Sequence, residues 1–476
     1  MHSIYNQLSN AQAEINAKWD QDIIPQLMNY IKIPCKSMMF DANWEQHGYI
    51  DQAMQLIVDW CKQQPIKDMN VSLFRDKGHS PLLFMDISGQ NEGTILLYGH
   101  MDKQPEMVGW DDDKGPWNPV LLGDKLYGRG GADDGYAVFC ALTAIATLQK
   151  RNIPHARCVL LIEASEESGS PDLPHYLKKY ANKIGSPDFV IALDSGALNY
   201  EQMWSTTSLR GLVSITLQIE TLRNGIHSGV GSGVAPSVFA ILRELLSRIE
   251  DAKTNRILLE DLHVDIPLQR CDQARFAAKM VGDTFYDSIP FYEKTRAVCN
   301  CVDEAILNRT WRPSLSVIGL DGMPATANAG NVTLPKLTVK LSFRLAPTTK
   351  PEEAAKNIKH VLERDPPHHA TVSCHISELG SGWHAPPLSE WLANACHRAG
   401  EYFYGKPAAY IGEGGSIPFM GMLGEMYPKA QFLITGVLGP QSNAHGPNEF
   451  LHIPMAKKLT GTVAAVIAEH FQQSKK

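Results

Sequence analysis

Thr94-Ile95-Leu96-Leu97-Tyr98-Gly99-His100-Met101-Asp102 sets an apolar run directly against a histidine and a carboxylate. Such a run reads as a strand that stops at the histidine. Open α/β sheets place ligands in the crevice at the carboxyl ends of their strands. The arrangement recurs along the chain. Glu166-Glu167 follows Cys158-Val159-Leu160-Leu161-Ile162, Asp194 follows Phe189-Val190-Ile191-Ala192-Leu193, and His445 comes shortly after Phe432-Leu433-Ile434-Thr435-Gly436-Val437. Gly130-Gly131-Ala132-Asp133-Asp134 is a further cluster, also read at the end of a strand. Each alone has a bland reading: a Glu-Glu pair is ordinarily a solvated helix start, and Asp-Asp-Gly a turn. Together, with complementary ligand types, they point to a two-metal site.

Histidine and carboxylates without thiolates suit Zn²⁺, Mn²⁺ or Co²⁺. Two cations ~3.5–4 Å apart repel each other, so a bridging carboxylate is useful, and Asp133-Asp134 offers one. His100 and His445 supply one imidazole per metal, while Glu167 and Asp194 supply a further carboxylate each. Glu166 is left beside a ligand, placed to act as general base on a metal-activated water and to carry the proton to a leaving amine. Asp102, two residues past His100, can accept the other ring N–H of that histidine. Signatures of other catalysts are missing: the chain has no Gly-x-Ser-x-Gly elbow, no Walker-type phosphate loop and no His-Glu-x-x-His.

Around these clusters the chain divides by pattern. Up to about residue 205, short apolar runs alternate with helical stretches such as 137–148 and 172–182. From 208 the pattern changes to half-exposed strands. Val213, Ile215, Leu217 and Ile219 alternate with polar residues, as do Leu337, Val339, Leu341, Phe343 and Leu345. A helix with Pro236 near its first turn follows the first of these, carrying Val238, Ile241, Leu242, Leu245, Leu246 and Ile249 as an apolar stripe. With a short strand at 315–318, a helix at 351–364 and a strand at 370–377, the order is β-α-β-β-α-β, the ferredoxin-like order. Residues 251–312 read as a helix-rich insertion. From about 386 helix–strand character returns. The expected architecture is an α/β catalytic dimetal domain made of 1–207 and 386–476, interrupted by an inserted α+β lid and dimerisation domain over 208–385.

Bulk properties narrow the partners. The chain has 476 residues with 44% hydrophobic and 20% charged content, ordinary for a soluble protein of two domains. A net charge of -7 and the lack of a basic patch argue against nucleic acid. No run approaches the ~20 apolar residues that span a bilayer, and the first 20 residues hold no secretory h-region. Nine scattered cysteines, several inside apolar runs, suit a cytoplasmic protein with reduced thiols. Cys299-Asn300-Cys301 lacks the second pair that a metal site would need.

These motifs resemble the co-catalytic dizinc exopeptidase superfamily of aminoacylases, glutamate carboxypeptidases, succinyl-diaminopimelate desuccinylase and carnosinase-type dipeptidases. Tyr98 to Asp102, Leu126 to Asp134 and Glu166-Glu167-Ser168-Gly169-Ser170 carry the likeness, the last being closest to cytosolic carnosinase-type dipeptidases. The resemblance implies a zinc-exopeptidase-like catalytic domain with a central mixed sheet. It also implies His100, Asp133 and Asp194 on one metal, Asp133, Glu167 and His445 on the other, Asp102 and Glu166 as catalytic residues, and a cis peptide after Asp133. Asn224-Gly225-Ile226-His227-Ser228-Gly229 matches a lid motif whose histidine reaches the partner subunit's site, which implies a homodimer with His227 catalytic in trans. Arg344, Asn331 and Ser416 match substrate-contact positions, Arg344 as a bidentate grip on a carboxylate. The chain departs from the family in having Gly135-Tyr136 where Lys-Gly is usual. The expected activity is hydrolysis of dipeptides or short peptides. The alternatives are an N-acyl-amino-acid deacylase or a carboxypeptidase, and, from another class, a non-catalytic metal-binding protein.

Overall fold

The computed structural model describes residues 3–415 and 418–473. Its centre is a nine-stranded mixed sheet. Across it lie Met69–Phe74, Leu82–Ile87, Arg157–Glu163, Thr94–His100, Phe189–Ala192, Gln431–Ile434, Trp204–Leu209 and Trp383–His384, with Ala409–Glu413 also paired to Trp204–Leu209. Thr94–His100 runs parallel to both of its neighbours, and Gln431–Ile434 is parallel to Phe189–Ala192. Four strands therefore end on the same edge.

The opening run is buried on both faces, which accounts for its lack of polar alternation. Ile95 and Leu97 join the larger core, while Leu96 and Tyr98 join the core on the opposite face. The larger core is closed by the helices Ala137–Lys150 and Ile453–Gln473, whose apolar residues are buried nearly all round. Truncating a leucine of the central strand that faces this core, Leu97→Ala, removes about 2–5 kcal/mol of stability.

The second sheet has four antiparallel strands in the order Ser314–Asp321, Lys336–Leu345, Gly211–Glu220, Thr371–Gly380. With the helices Val238–Ser247 and Pro351–Glu363 against one face, this is the ferredoxin-like order. The alternating Val213, Ile215, Leu217 and Ile219 are all fully buried.

Pro236 stands next to the first turn of its helix, as expected; the helix starts at Val238 because the Ser237 hydroxyl caps it by accepting from Ala240 N. Two local expectations shift. The 172–182 helix is two pieces, Leu173–Lys179 and Ala181–Ile184, broken at Tyr180. Asp133 does not follow a strand of the main sheet; it lies in the turn that enters helix Ala137–Lys150. Among the described residues no helix is long and apolar enough to cross a membrane.

Candidate active site

His100 is the last residue of its strand, and Gly99 makes room for the turn beside it. A Cβ on Gly99 would lie 2.6 Å from Ala137 Cβ and 2.8 Å from Asp134 Oδ2. The Asp133–Asp134 peptide is cis. His100 Nε2 lies 3.3 Å from Asp133 Oδ1 and 3.7 Å from Asp194 Oδ2. His445 Nε2 lies 3.1 Å from Asp133 Oδ2 and 3.2 Å from Glu167 Oε2. Asp133 thus turns one oxygen to each histidine.

The ligand atoms of His100, Asp133 and Asp194 all lie within 4.8 Å of one another, and so do those of Asp133, Glu167 and His445. Two separate observations fit divalent cations there. Glu167 Oε1 is buried without a hydrogen-bond partner among the described residues, and four carboxylates crowd two imidazoles. Burial, reinforced by Asp194, Glu167 and Asp102, pushes the Glu166 carboxyl well above its usual range against the pull of His100. Burial, with Asp133 and Glu167, pushes Asp194 up to about 7. Asp133 and Glu167 in turn hold His445 up at about 11 against burial. Cations between these groups would relieve the carboxylate repulsion and leave the imidazoles neutral for ligation.

Asp102 does more than its spacing suggests. His100 Nδ1 faces the Asp102 carbonyl at 3.1 Å and its Oδ1 at 3.4 Å, which directs Nε2 into the site. The same carboxylate accepts the backbone N–H groups of Glu166 at 3.1 Å and Glu167 at 3.0 Å. One residue therefore orients a ligand on one strand end and the Glu-Glu turn on the next.

Glu166 lines a cavity of about 400 Å³ together with Asp133, Asp194 and His445. Its far wall carries Glu413, Gly415 and, from the 251–312 segment, Phe285 and Arg309. Glu413 lies three residues before Ser416 in the sequence, and Arg309 had no signal there. Other supports went unread as well. Gln104 Nε2 donates to Glu167 Oε2 at 2.6 Å. Tyr136, the departure from the family pattern, is fully buried and donates its hydroxyl to the Leu193 carbonyl next to Asp194.

The remaining expected residues are not gathered at the cavity. His227 and Asn331 sit together on a two-residue ladder, Ile226–His227 against Val332–Thr333, where Asn331 O accepts from Ser228 N. Both are exposed and neither lines the cavity. Arg344 is half-buried opposite Ser314 and close enough to Arg210 to lower that guanidinium's pKa. Ser416 lies outside the described residues.

The family model of peptidase family M20/M25/M40 matches residues 96–469. The chain belongs to this family, and is a hydrolase of the metallopeptidase kind. It is 26% identical over 381 residues to a cysteinylglycine-S-conjugate dipeptidase of Corynebacterium striatum, covering 76% of this chain and 79% of that one. It is 26% identical over 461 residues to a Cys-Gly metallodipeptidase of Saccharomyces cerevisiae, covering 93% and 91%. Among solved structures, human carnosine dipeptidase 1 matches with a TM-score of 0.78 at 20% identity, over 98% of this chain and 99% of that chain; that likeness is one of fold.

Proposed function

We propose that this M20-family chain is a homodimeric, dizinc dipeptidase that hydrolyses the amide bond of unblocked dipeptides. The printed activities of the relatives support this substrate class. In this reading His100, Asp133 and Asp194 hold one ion, and Asp133, Glu167 and His445 the other. The donors also accept Mn²⁺ or Co²⁺, and zinc is favoured by the nitrogen and oxygen set. When bound, the ions supply Lewis-acid polarisation of the scissile carbonyl and acidify water. Glu166 takes the proton of the attacking water on its side-chain carboxylate and returns it to the leaving amine. Its burial raises the carboxyl's affinity for a proton, which helps it hold the proton it has taken. Asp102 keeps Glu166 and Glu167 in register through their backbone N–H groups.

The observation that carries the choice of substrate is Glu413. Its carboxylate lines the same cavity as Glu166, on the wall away from the two ligand sets. Burial pushes its pKa up, and the nearby Arg309 opposes this. A free ammonium on the substrate would satisfy it, and an N-acyl group would not. A panel of unblocked dipeptides and of N-acetyl and N-succinyl amino acids, assayed on metal-reconstituted protein, tests this. Turnover confined to the N-acylated compounds overturns it in favour of a deacylase.

A second copy of the chain is part of the same reading. His227 and Asn331 stand exposed and away from the cavity, as groups serving a neighbour's site would. Close in the chain to Asn331, the edge strand Ser314–Asp321 leaves Val317 52% and Ile318 57% exposed, an apolar open edge that a second copy would cover. Arg344 and Ser416 would then take the substrate's carboxylate end. A cytoplasmic setting is supported by nine unpaired cysteines, most of them buried.

A further inference from the structure

The 251–312 segment reaches the candidate active site. Its helices Leu268–Val281 and Val302–Thr310 bury Ala274, Ala277, Ile306 and Leu307 in the larger core, against the strand Ala409–Glu413. The second helix is held tightly there. Thr310 is 1% exposed and abuts Gly412, where an added Cβ would fall 2.8 Å from Thr310 Cβ. Arg309 stands in the last turn of this anchored helix and lines the cavity beside Glu413.

Three features suit Arg309 to recognition. Its guanidinium centre lies 5.0 Å from the Phe285 ring, and stacking on an aromatic face fixes the plane of the fork while leaving its edge N–H groups open. Those N–H groups make no hydrogen bond to a described residue. Two further guanidiniums stand on this side of the cavity. Arg210 is nearly buried behind it, its pKa pushed down to about 10 by burial and then by Arg344 and Arg309. Arg210 is already occupied, donating to the Gly414, Asn308 and Arg312 carbonyls and to the Ser314 hydroxyl. Arg309, Arg210 and Arg344 thus cluster here, with Glu413 beside Arg309 and Glu378 beside Arg344, while the carboxylates of Asp133, Glu166 and Asp194 belong to the candidate metal site in the same cavity.

We propose that Arg309 is a specificity-determining residue that pairs with an anionic side chain on the amino-terminal residue of the substrate, so that the preferred substrates are dipeptides beginning with an acidic residue. This rests on the dipeptidase reading. With the ammonium at Glu413, the side chain of the same residue falls toward the neighbouring guanidinium. Thr284 and Ser288, which line this wall with Arg309, add hydroxyls to a polar subsite.

The test compares kcat/KM for Asp-Gly, Asn-Gly, Leu-Gly and Lys-Gly on the full-length, zinc-reconstituted enzyme and on its R309A and R309E variants. The unmodified enzyme should favour Asp-Gly over Leu-Gly by about tenfold or more. R309A should collapse that ratio toward one, and R309E should place Lys-Gly above Asp-Gly. If R309A loses its thermal transition, R309Q carries the same comparison. Equal kcat/KM on all four substrates in the unmodified enzyme overturns the assignment, as does a variant that lowers all four by one common factor. An enzyme that cleaves none of the four overturns the dipeptidase reading, and this assignment with it.

Discussion

Arg129 Nη1 and Glu449 Oε2 meet at 2.6 Å with both side chains withdrawn from solvent, and the pair ties together the two loops that carry Asp133 and His445. Arg129 Nη2 also donates to Gly446 O at 2.7 Å, while Glu449 Oε1 accepts from Gly130 N at 3.0 Å. Both loops are thus clamped one turn from a candidate ligand. Arg129→Ala would strand a buried carboxylate, so the unfolding free energy is expected to fall by about 3–5 kcal/mol in urea titrations. Because His445 sits at φ 64 on the clamped loop, zinc titration of the variant should also show one of the two sites weakened. A variant as stable as the parent, with two equally tight sites, would remove the clamp from the account.

Glu166→Gln separates proton transfer from architecture. The turn is held through backbone N–H groups rather than through the Glu166 side chain, so fold and metal content should persist. The expected result is a fall in kcat of about 10²–10⁴-fold with little change in KM. Elemental analysis of the same sample checks the metal. Unchanged peptide cleavage would require another base.

Glu163 gives a pH dependence of stability. Burial and then Asp102 push its carboxyl up to about 7, although Tyr98, Ser165 and Ser170 all donate to it. The folded pKa lies above the unfolded value, so between roughly pH 4.5 and 7 the folded state holds more protons. Stability of the chelator-treated protein should therefore fall as pH rises through that window, by about 3 kcal/mol from this group. Glu163→Gln should flatten the slope in denaturant titrations at pH 5 and pH 7. An identical slope in both proteins would assign the dependence elsewhere.

The residues that the sequence revealed are those placed by backbone regularity. His100, Glu166, Glu167 and Asp194 follow apolar runs because parallel strands buried on both faces admit no polar alternation, and their shared edge gathers what comes next. The ferredoxin-like sheet was equally readable from its strict alternation. What stayed hidden depends on contacts between distant segments. Arg129 and Glu449 are 320 residues apart, and neither has a local pattern that names the other. Asp102's grip on two backbone N–H groups leaves no mark on residue type. The 251–312 segment packs partly through small residues such as Ala274 and Ala277, a weak apolar signal, so nothing in its pattern points Arg309 at the cavity.

Subunit complementation bears on the placement of His227. Its imidazole Nδ1 accepts from Gly229 N at 3.0 Å, which leaves Nε2 facing outward from an exposed ladder. If that nitrogen completes the neighbour's site, H227A and E166Q should each be inactive for a different reason. A mixed dimer then holds one site with Glu166 from one subunit and His227 from the other. Random reassortment of equal amounts makes about half the dimers mixed, each with one intact site of two, so about a quarter of the parental activity should return. Activity is followed after mixing, unfolding and refolding the two variants together, against each refolded alone. A mixture no more active than its components would place His227 outside the neighbour's site, and full activity in a species that sediments as a monomer would dispose of the dimer requirement itself.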